Sequence, residues 1–378
     1  MPLAVGWWVY VDPRGISVVS DYHLATAPVV VLALVSILAA ILFLPALAVD
    51  AGAEGAGAAT QREGPILIVL IVLSGLYVLL TPGLFAADKA EVLRATGRGH
   101  YLFYNLCAVG FVYCAIAGWG RNRWLLLVAV LGILLALFIG HRWAPALAIA
   151  GTLYVTFRDR PVSSIGWKRG LAVVAAIVAL ALYKLVSSKI KRGDFAATFS
   201  RLADGPFAGN ALFGMEPFIT LAHLDFVVTH DFALACTNLW RVPLSLIPFM
   251  DTMIDDSACS YNHQVQPVFF SGYDSGVGAN IWAEFFANFG YLGIPVLVAI
   301  VIALCRALEY VLRRVGSPVL RAGIILGIVQ LTVFIQRNEL LGAFVLAKRA
   351  ILVALLVFLL GWLLEPTRRA QLREGRVP

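Results

Sequence analysis

Apolar stretches long enough to cross a lipid bilayer recur along nearly the whole of this 378-residue chain. Hydrocarbon offers no hydrogen bonds, so a crossing segment must pair its own N–H and C=O groups, and about 20 apolar residues in a helix do so. Hydropathy places such segments near residues 26–48, 65–84, 101–119, 123–139, 143–157, 169–187, 282–305, 319–335 and 340–363. About nine or more spans follow, and the expected fold class is all-α and polytopic. Composition agrees, with 61% hydrophobic and only 13% charged residues and a mean hydropathy of +0.87. The first 21 residues hold Trp7, Trp8, Tyr10 and Asp12 but no long apolar core, which suits interfacial packing better than a crossing. They also lack the basic start and small-residue cleavage site of a signal peptide.

Short cytoplasmic loops keep Lys and Arg during insertion, so basic residues set the orientation. Arg368, Arg369, Arg373 and Arg376 put the C-terminal tail in the cytoplasm. Counting back places Arg306, Arg313 and Arg314, then Arg158, Arg160, Lys168 and Arg169, then Arg121 and Arg123, on that same side. Residues 85–100, the His141-Arg142 turn, residues 188–281 and the Arg337 region are left outside. The net charge of +7 thus mostly reports orientation, and with no basic stripe in a soluble domain nucleic acid is not an expected partner.

The informative cations are those the orientation rule does not explain: Lys89, Arg94, Arg98, Arg142, Arg192, Arg201, Arg241, Arg337, Lys348 and Arg349. Arg142, Arg337, Lys348 and Arg349 are flanked by apolar sequence at membrane depth, where an ionised side chain costs at least ~2.5 kcal/mol at a helix centre and usually faces a cavity. Snorkelling to lipid phosphates is the alternative reading. A second open point is whether residues 340–347 begin a straight helix or dip into the bilayer and return.

Residues 188–281 form the one sizeable hydrophilic insertion, too long for a simple connection. Its amphipathic aromatic stretches, 217–228 and 232–249, suggest helices roofing a cleft as an extracytoplasmic cap. Three regions are expected: N-terminal transmembrane helices over 1–187, the cap over 188–281, and C-terminal transmembrane helices with a basic cytoplasmic tail over 282–378. Cys236 and Cys259 both fall in the cap, where an oxidising compartment permits a disulfide if they approach within ~7 Å. Cys107, Cys114 and Cys305 read as buried small hydrophobes. No metal-ligand spacing, phosphate-binding glycine loop or GxSxG elbow is present, so neither a metal nor another cofactor is expected.

Two segments carry a family resemblance. Asn280-Ile281-Trp282-Ala283-Glu284-Phe285-Phe286-Ala287-Asn288-Phe289-Gly290-Tyr291-Leu292-Gly293 resembles the segment after the large loop of the oligosaccharide repeat-unit polymerases, the Wzy-type enzymes of bacterial surface polysaccharide assembly. Gly140-His141-Arg142-Trp143-Ala144-Pro145 resembles their Gly-Ser-Arg turn at the outer membrane face, with His141 in place of the Ser. The layout of many spans and one large external loop is similar too. The resemblance implies a GT-C-like membrane glycosyltransferase of the bacterial inner membrane, active on its periplasmic face and independent of metals. Undecaprenyl-pyrophosphate-linked glycans would be its substrates, and a chain-length regulator and a flippase of the same pathway its partners.

Such a reaction puts negative charge on a leaving diphosphate, which fixed guanidinium groups stabilise in a dry cleft. Arginine binds phosphate in a bidentate fashion that lysine does not match. The candidates for holding the phosphates are Arg142, Arg201 and Arg337, followed by Arg349 and Arg98. A base for the acceptor hydroxyl calls for a partly buried carboxylate or His. Glu284 is the first choice and His230 the second, ahead of His223 and Asp231, although an acid in a helix's first turn also suits the helix dipole. Two other classes fit the layout: an O-antigen-ligase-type transferase with the same donor, and a polysaccharide or lipid transporter. The absence of paired internal repeats with interrupted helices weighs against the transporter.

Overall fold

The computed structural model describes residues 8–11, 17–20, 26–43, 62–86, 89–158, 171, 175, 183, 216–245, 247, 257–269 and 278–364. Most of these are helical. The helices are α1 (Ala27–Phe43), α2 (Glu63–Leu80), α3 (Lys89–Ala95), α4 (Arg98–Ala117), α5 (Arg123–Ile139), α6 (Trp143–Phe157), α7 (Glu216–Thr229), α8 (Arg241–Ser245), α9 (Tyr261–Phe269), α10 (Ile281–Phe289), α11 (Gly293–Arg314), α12 (Pro318–Thr332) and α13 (Leu340–Leu363). Among the described residues four helical stretches are long and apolar enough to cross a membrane: Glu63–Leu80, Gly99–Ala117, Ile281–Arg314 and Leu340–Leu363. Four shorter apolar helices accompany them, Ala27–Ala40, Arg123–Ile139, Trp143–Phe157 and Pro318–Thr332. The chain is thus a helical protein of membrane character. Of the expected span 169–187 only Leu171, Ala175 and Tyr183 are described, each helical.

One departure from an all-α fold lies at the N-terminus. Strands β1 (Trp8–Val11) and β2 (Ser17–Ser20) pair antiparallel, with Trp8 opposite Ser20 and Val11 opposite Ser17. Aromatic and β-branched residues fill β1, Trp8-Val9-Tyr10-Val11, and Val18 and Val19 form the middle of β2. Residues 340–347 also resolve one way. They are the opening turns of the unbroken α13, preceded by a 3-10 turn at Ile335–Arg337, so no dip and return is formed.

By their contacts the residues divide into two compact units. Unit 1 takes Met1–Ala48, Asp194–Ala307 and Gln330–Leu346, and unit 2 takes Val49–Gly193, Leu308–Val329 and Ala347–Pro378. In unit 2, α4 packs against α2, α5 and α6. It is apolar nearly all round, as a central helix must be, and Phe103, Tyr104, Leu106, Cys107, Val109 and Val112 are buried. Small residues let its neighbours approach: Gly132 of α5 faces Cys107 and Phe103, and Gly151 of α6 faces Val112. The other side of α2 presents Val69, Leu73, Leu76 and Leu80 outward, as a helix bordering lipid would. Glu63 is buried at the start of α2. Its carboxylate accepts from Ser317 Oγ at 2.7 Å and from the Val319 N–H at 3.3 Å, capping the start of α12, where Pro318 occupies the first helical position.

In unit 1, Leu224 and Val227 of α7, Tyr261 and Val265 of α9, Ala283, Phe286 and Ala287 of α10, Ile294 of α11 and Val29 of α1 form a single apolar core. α7 ends in a Schellman turn. Phe232 N–H reaches Val227 O at 3.0 Å, and Asp231 takes the left-handed conformation at φ 46°. Beyond it, Cys236 and Cys259 are joined by a disulfide with a Cα–Cα distance of 5.1 Å. Gln264 of α9 braces the bridge, accepting from the Ala235 N–H at 2.8 Å and donating to Cys236 O at 2.8 Å.

Candidate functional site

The His141-Arg142 turn of unit 2 is fixed by the way α5 stops. Gly140 adopts φ 112°, a left-handed conformation that a side chain would strain, and His141 N–H returns to Ala136 O at 2.9 Å. Arg142 then sits just ahead of Trp143, the first residue of α6. The His141 ring lies 4.8 Å from the ring of Tyr104, and its Nε2 is 3.3 Å from Thr96 Oγ1. Thr96 spends its only proton on Val92 O at 2.7 Å. Its oxygen must therefore accept from His141, which places the imidazole proton on Nε2.

From Tyr104 a line of rings leads to a second cation. Tyr101 meets Tyr104 edge-on at 6.3 Å, and the Arg349 guanidinium of α13 stands 5.3 Å above the Tyr101 ring. A guanidinium over an aromatic face gains about 0.5–2 kcal/mol, more as water is withdrawn. Arg349 and the His141-Arg142 turn are thus both joined to the N-terminal turns of α4, the first through Tyr101 and the second through His141 on Tyr104. Arg98 opens that same helix, though its side chain lies outside the described residues. Arg94 is exposed on α3. His100 is buried nearby but fully employed, with Nδ1 accepting from the Gly97 N–H at 2.8 Å and Nε2 against Thr81 Oγ1 at 3.2 Å.

Unit 1 holds the acid–base candidates. Glu284 of α10 is 1% exposed. Asn280 caps α10 by accepting from the N–H groups of Trp282 at 2.9 Å and Ala283 at 3.1 Å. One Glu284 oxygen accepts from the Leu340 N–H at 2.8 Å, so the carboxylate braces the first turn of α13. Glu339, one residue earlier, accepts from the Asn262 N–H at 3.1 Å and from Asn238 Nδ2 at 3.3 Å. Tyr261 belongs with them: its hydroxyl is 3.5 Å from His223 Nδ1. Burial, with Glu284 and Glu339 adding to it, pushes the Tyr261 hydroxyl well above the usual phenol range. Burial alone lowers His223 to about 3, so the imidazole is neutral at physiological pH.

His230 is different. It is exposed at the end of α7, its ring lies 4.5 Å from that of Phe226, and Nδ1 donates to Phe226 O at 3.0 Å. A carbonyl only accepts, so Nδ1 carries the proton and Nε2 is the basic nitrogen. Asp231 is exposed beside it in the left-handed cap. Arg337 closes the 3-10 turn just before Glu339, with its side chain outside the described residues, and Arg201 lies outside them altogether.

The expected residues therefore fall into two groups, Arg142, Arg349 and Arg98 in unit 2, and Glu284, His230 and Arg337 in unit 1. Reading the sequence missed Glu339, Tyr261, Tyr101 and Tyr104. Only Glu339 left a signal, as an acid two residues after Arg337 at the mouth of an apolar run. Compared with protein-family models, curated proteins and solved structures, the chain matches none.

Proposed function

We propose that this chain is a membrane glycosyltransferase that polymerises undecaprenyl-pyrophosphate-linked oligosaccharide repeat units at the outer face of the bacterial inner membrane. The observation that carries the reading is the linkage of Arg349 to the His141-Arg142 turn through Tyr101 and Tyr104. A guanidinium at membrane depth is costly unless an anion or cavity receives it, and a second arginine in the turn that packs on the same helix suits a diphosphate. The Cys236–Cys259 bridge supports placing that segment in an oxidising compartment, outside the cytoplasm.

In the proposed reaction the bond between the anomeric carbon of the growing chain and its lipid pyrophosphate breaks, and the electron pair leaves on the diphosphate. Arg142, Arg349 and Arg98, all of unit 2, are the candidates for holding one diphosphate, and Arg201 and Arg337, of unit 1, for holding the other. A hydroxyl of the incoming lipid-linked unit attacks the anomeric carbon, and its proton passes to Glu284 or to Nε2 of His230. A chain-length regulator and a flippase are the partners this role requires.

The reading is tested in cells whose own polymerase has been removed and replaced by this chain. Arg142→Ala and Arg337→Ala should abolish polymer elongation while the protein stays folded in the membrane, and Arg94→Ala should do less. Near-wild-type chain lengths in the first two would overturn it.

A further inference from the structure

The packing of unit 2 does not account for the hydroxyl of Tyr104. The residue is fully buried, and its hydroxyl has no hydrogen-bond partner among the described residues. The indole N–H of Trp143, next after Arg142, is also buried without one. A phenol can donate and an indole N–H can only donate, so both are missing an acceptor. Each orphaned donor gives up its hydrogen bond to water and gains none in the fold, whereas phenylalanine at either position would fill space at no such cost. Both residues adjoin the His141-Arg142 turn. Tyr104 packs on the His141 ring at 4.8 Å, Trp143 follows Arg142 in the chain, and Arg349 is one ring away over Tyr101. Two unused donors beside one cationic turn are what a site for an oxygen-rich anion looks like before the anion arrives, because donors prearranged for a ligand are paid for by the fold.

We infer that the Tyr104 hydroxyl and the Trp143 indole N–H donate hydrogen bonds to the oxygens of a pyrophosphate group drawn in by Arg142 and Arg349. The identity of the anion rests on the proposed function. The assignment of the two donors rests on their burial and lack of partners. Cations alone give attraction without direction. Two neutral donors at fixed positions would orient the diphosphate so that the glycosyl bond faces the acceptor.

The test uses the full chain in phosphatidylcholine nanodiscs, titrated with undecaprenyl pyrophosphate in one arm and inorganic pyrophosphate in the other, with binding read from the rise in melting temperature. Without ligand, Tyr104→Phe should melt at or above the wild type, since it removes an unsatisfied hydroxyl. It should bind pyrophosphate about 10- to 100-fold more weakly, the loss expected of one hydrogen bond to a charged group. Trp143→Phe should show the same pattern. Weakened binding in both arms assigns recognition to the phosphates themselves; weakening in the lipid arm alone supports the donors with a need for the lipid tail. Equal affinity of wild type and Tyr104→Phe overturns this inference and leaves the proposed function standing. So does a lower melting temperature for unliganded Tyr104→Phe, which would mean the hydroxyl is already satisfied. A wild type that binds neither probe overturns the proposed function itself.

Discussion

Reducing the Cys236–Cys259 bridge should loosen one segment of unit 1 by a calculable amount. The bridged residues are 23 positions apart. For a loop of that length the chain-entropy relation gives about 11 cal/mol/K, or about 3.4 kcal/mol near room temperature. That corresponds to a roughly 300-fold change in the local opening equilibrium. The hydrogen bonds of Gln264 to Ala235 and Cys236 survive reduction and hold the ends near each other, so the observed change should fall below that ceiling. Amide hydrogen exchange on the full chain in nanodiscs, with and without a membrane-permeant reductant, gives the readout. Peptides over 234–245 and 257–269 should exchange up to about 100-fold faster when reduced, while peptides of α4 stay unchanged. Equal protection of the first set in both states would refute the loop-closure reasoning. A bridge absent from protein isolated under thiol-trapping conditions would count against the outward placement of the segment as well.

Three further outcomes follow from the packing. Burial holds His223 at about 3, below the unfolded value near 6.5, so protonation favours unfolding. Stability is whole above pH ~6.5 and declines toward pH ~3, with about 2 kcal/mol lost by pH 5. His223→Leu should flatten the melting profile between pH 7 and 5, and parallel profiles for the two proteins would discount the effect. At position 284, Glu284→Ala should cost about 1–3 kcal/mol by orphaning the Leu340 N–H. Glu284→Gln keeps an oxygen for that N–H and should fold normally yet lose elongation; full activity in Glu284→Gln removes Glu284 as the base. In unit 2 a Cβ on Gly132 would stand 2.4 Å from Cys107 Sγ, so Gly132→Ala should destabilise by about 1–3 kcal/mol. Adding Cys107→Ala should recover much of that, and an unperturbed unfolding midpoint for Gly132→Ala alone would refute the clash.

Most helices were legible because hydrocarbon imposes one rule on every span. The runs near 65–84, 123–139, 143–157 and 340–363 each became helices within a few residues of their expected limits. The Cys236–Cys259 pairing was legible as a possibility because both cysteines fall in one hydrophilic segment, but only tertiary structure brings them to 5.1 Å. The hairpin of β1 and β2 was missed because Trp8 and Tyr10 satisfy an interfacial pattern as readily as a strand pattern. Glu284 stood out as an acid at the outer mouth of an apolar span. Its attachment to Leu340, 56 positions away, is a long-range contact that no local pattern encodes. The same holds for Arg349: its depth in an apolar run singled it out, whereas Tyr101 as its resting place came only with the tertiary structure.

Transfer of one lipid-linked glycan onto another can be observed by reconstitution. Purified protein in nanodiscs is supplied with a labelled undecaprenyl-pyrophosphate-linked repeat unit, and the products are separated by length. A polymerase yields a ladder spaced by one repeat unit, lost in Arg142→Ala. Donor recovered unchanged, or a single block moved to a different acceptor, would contradict that activity.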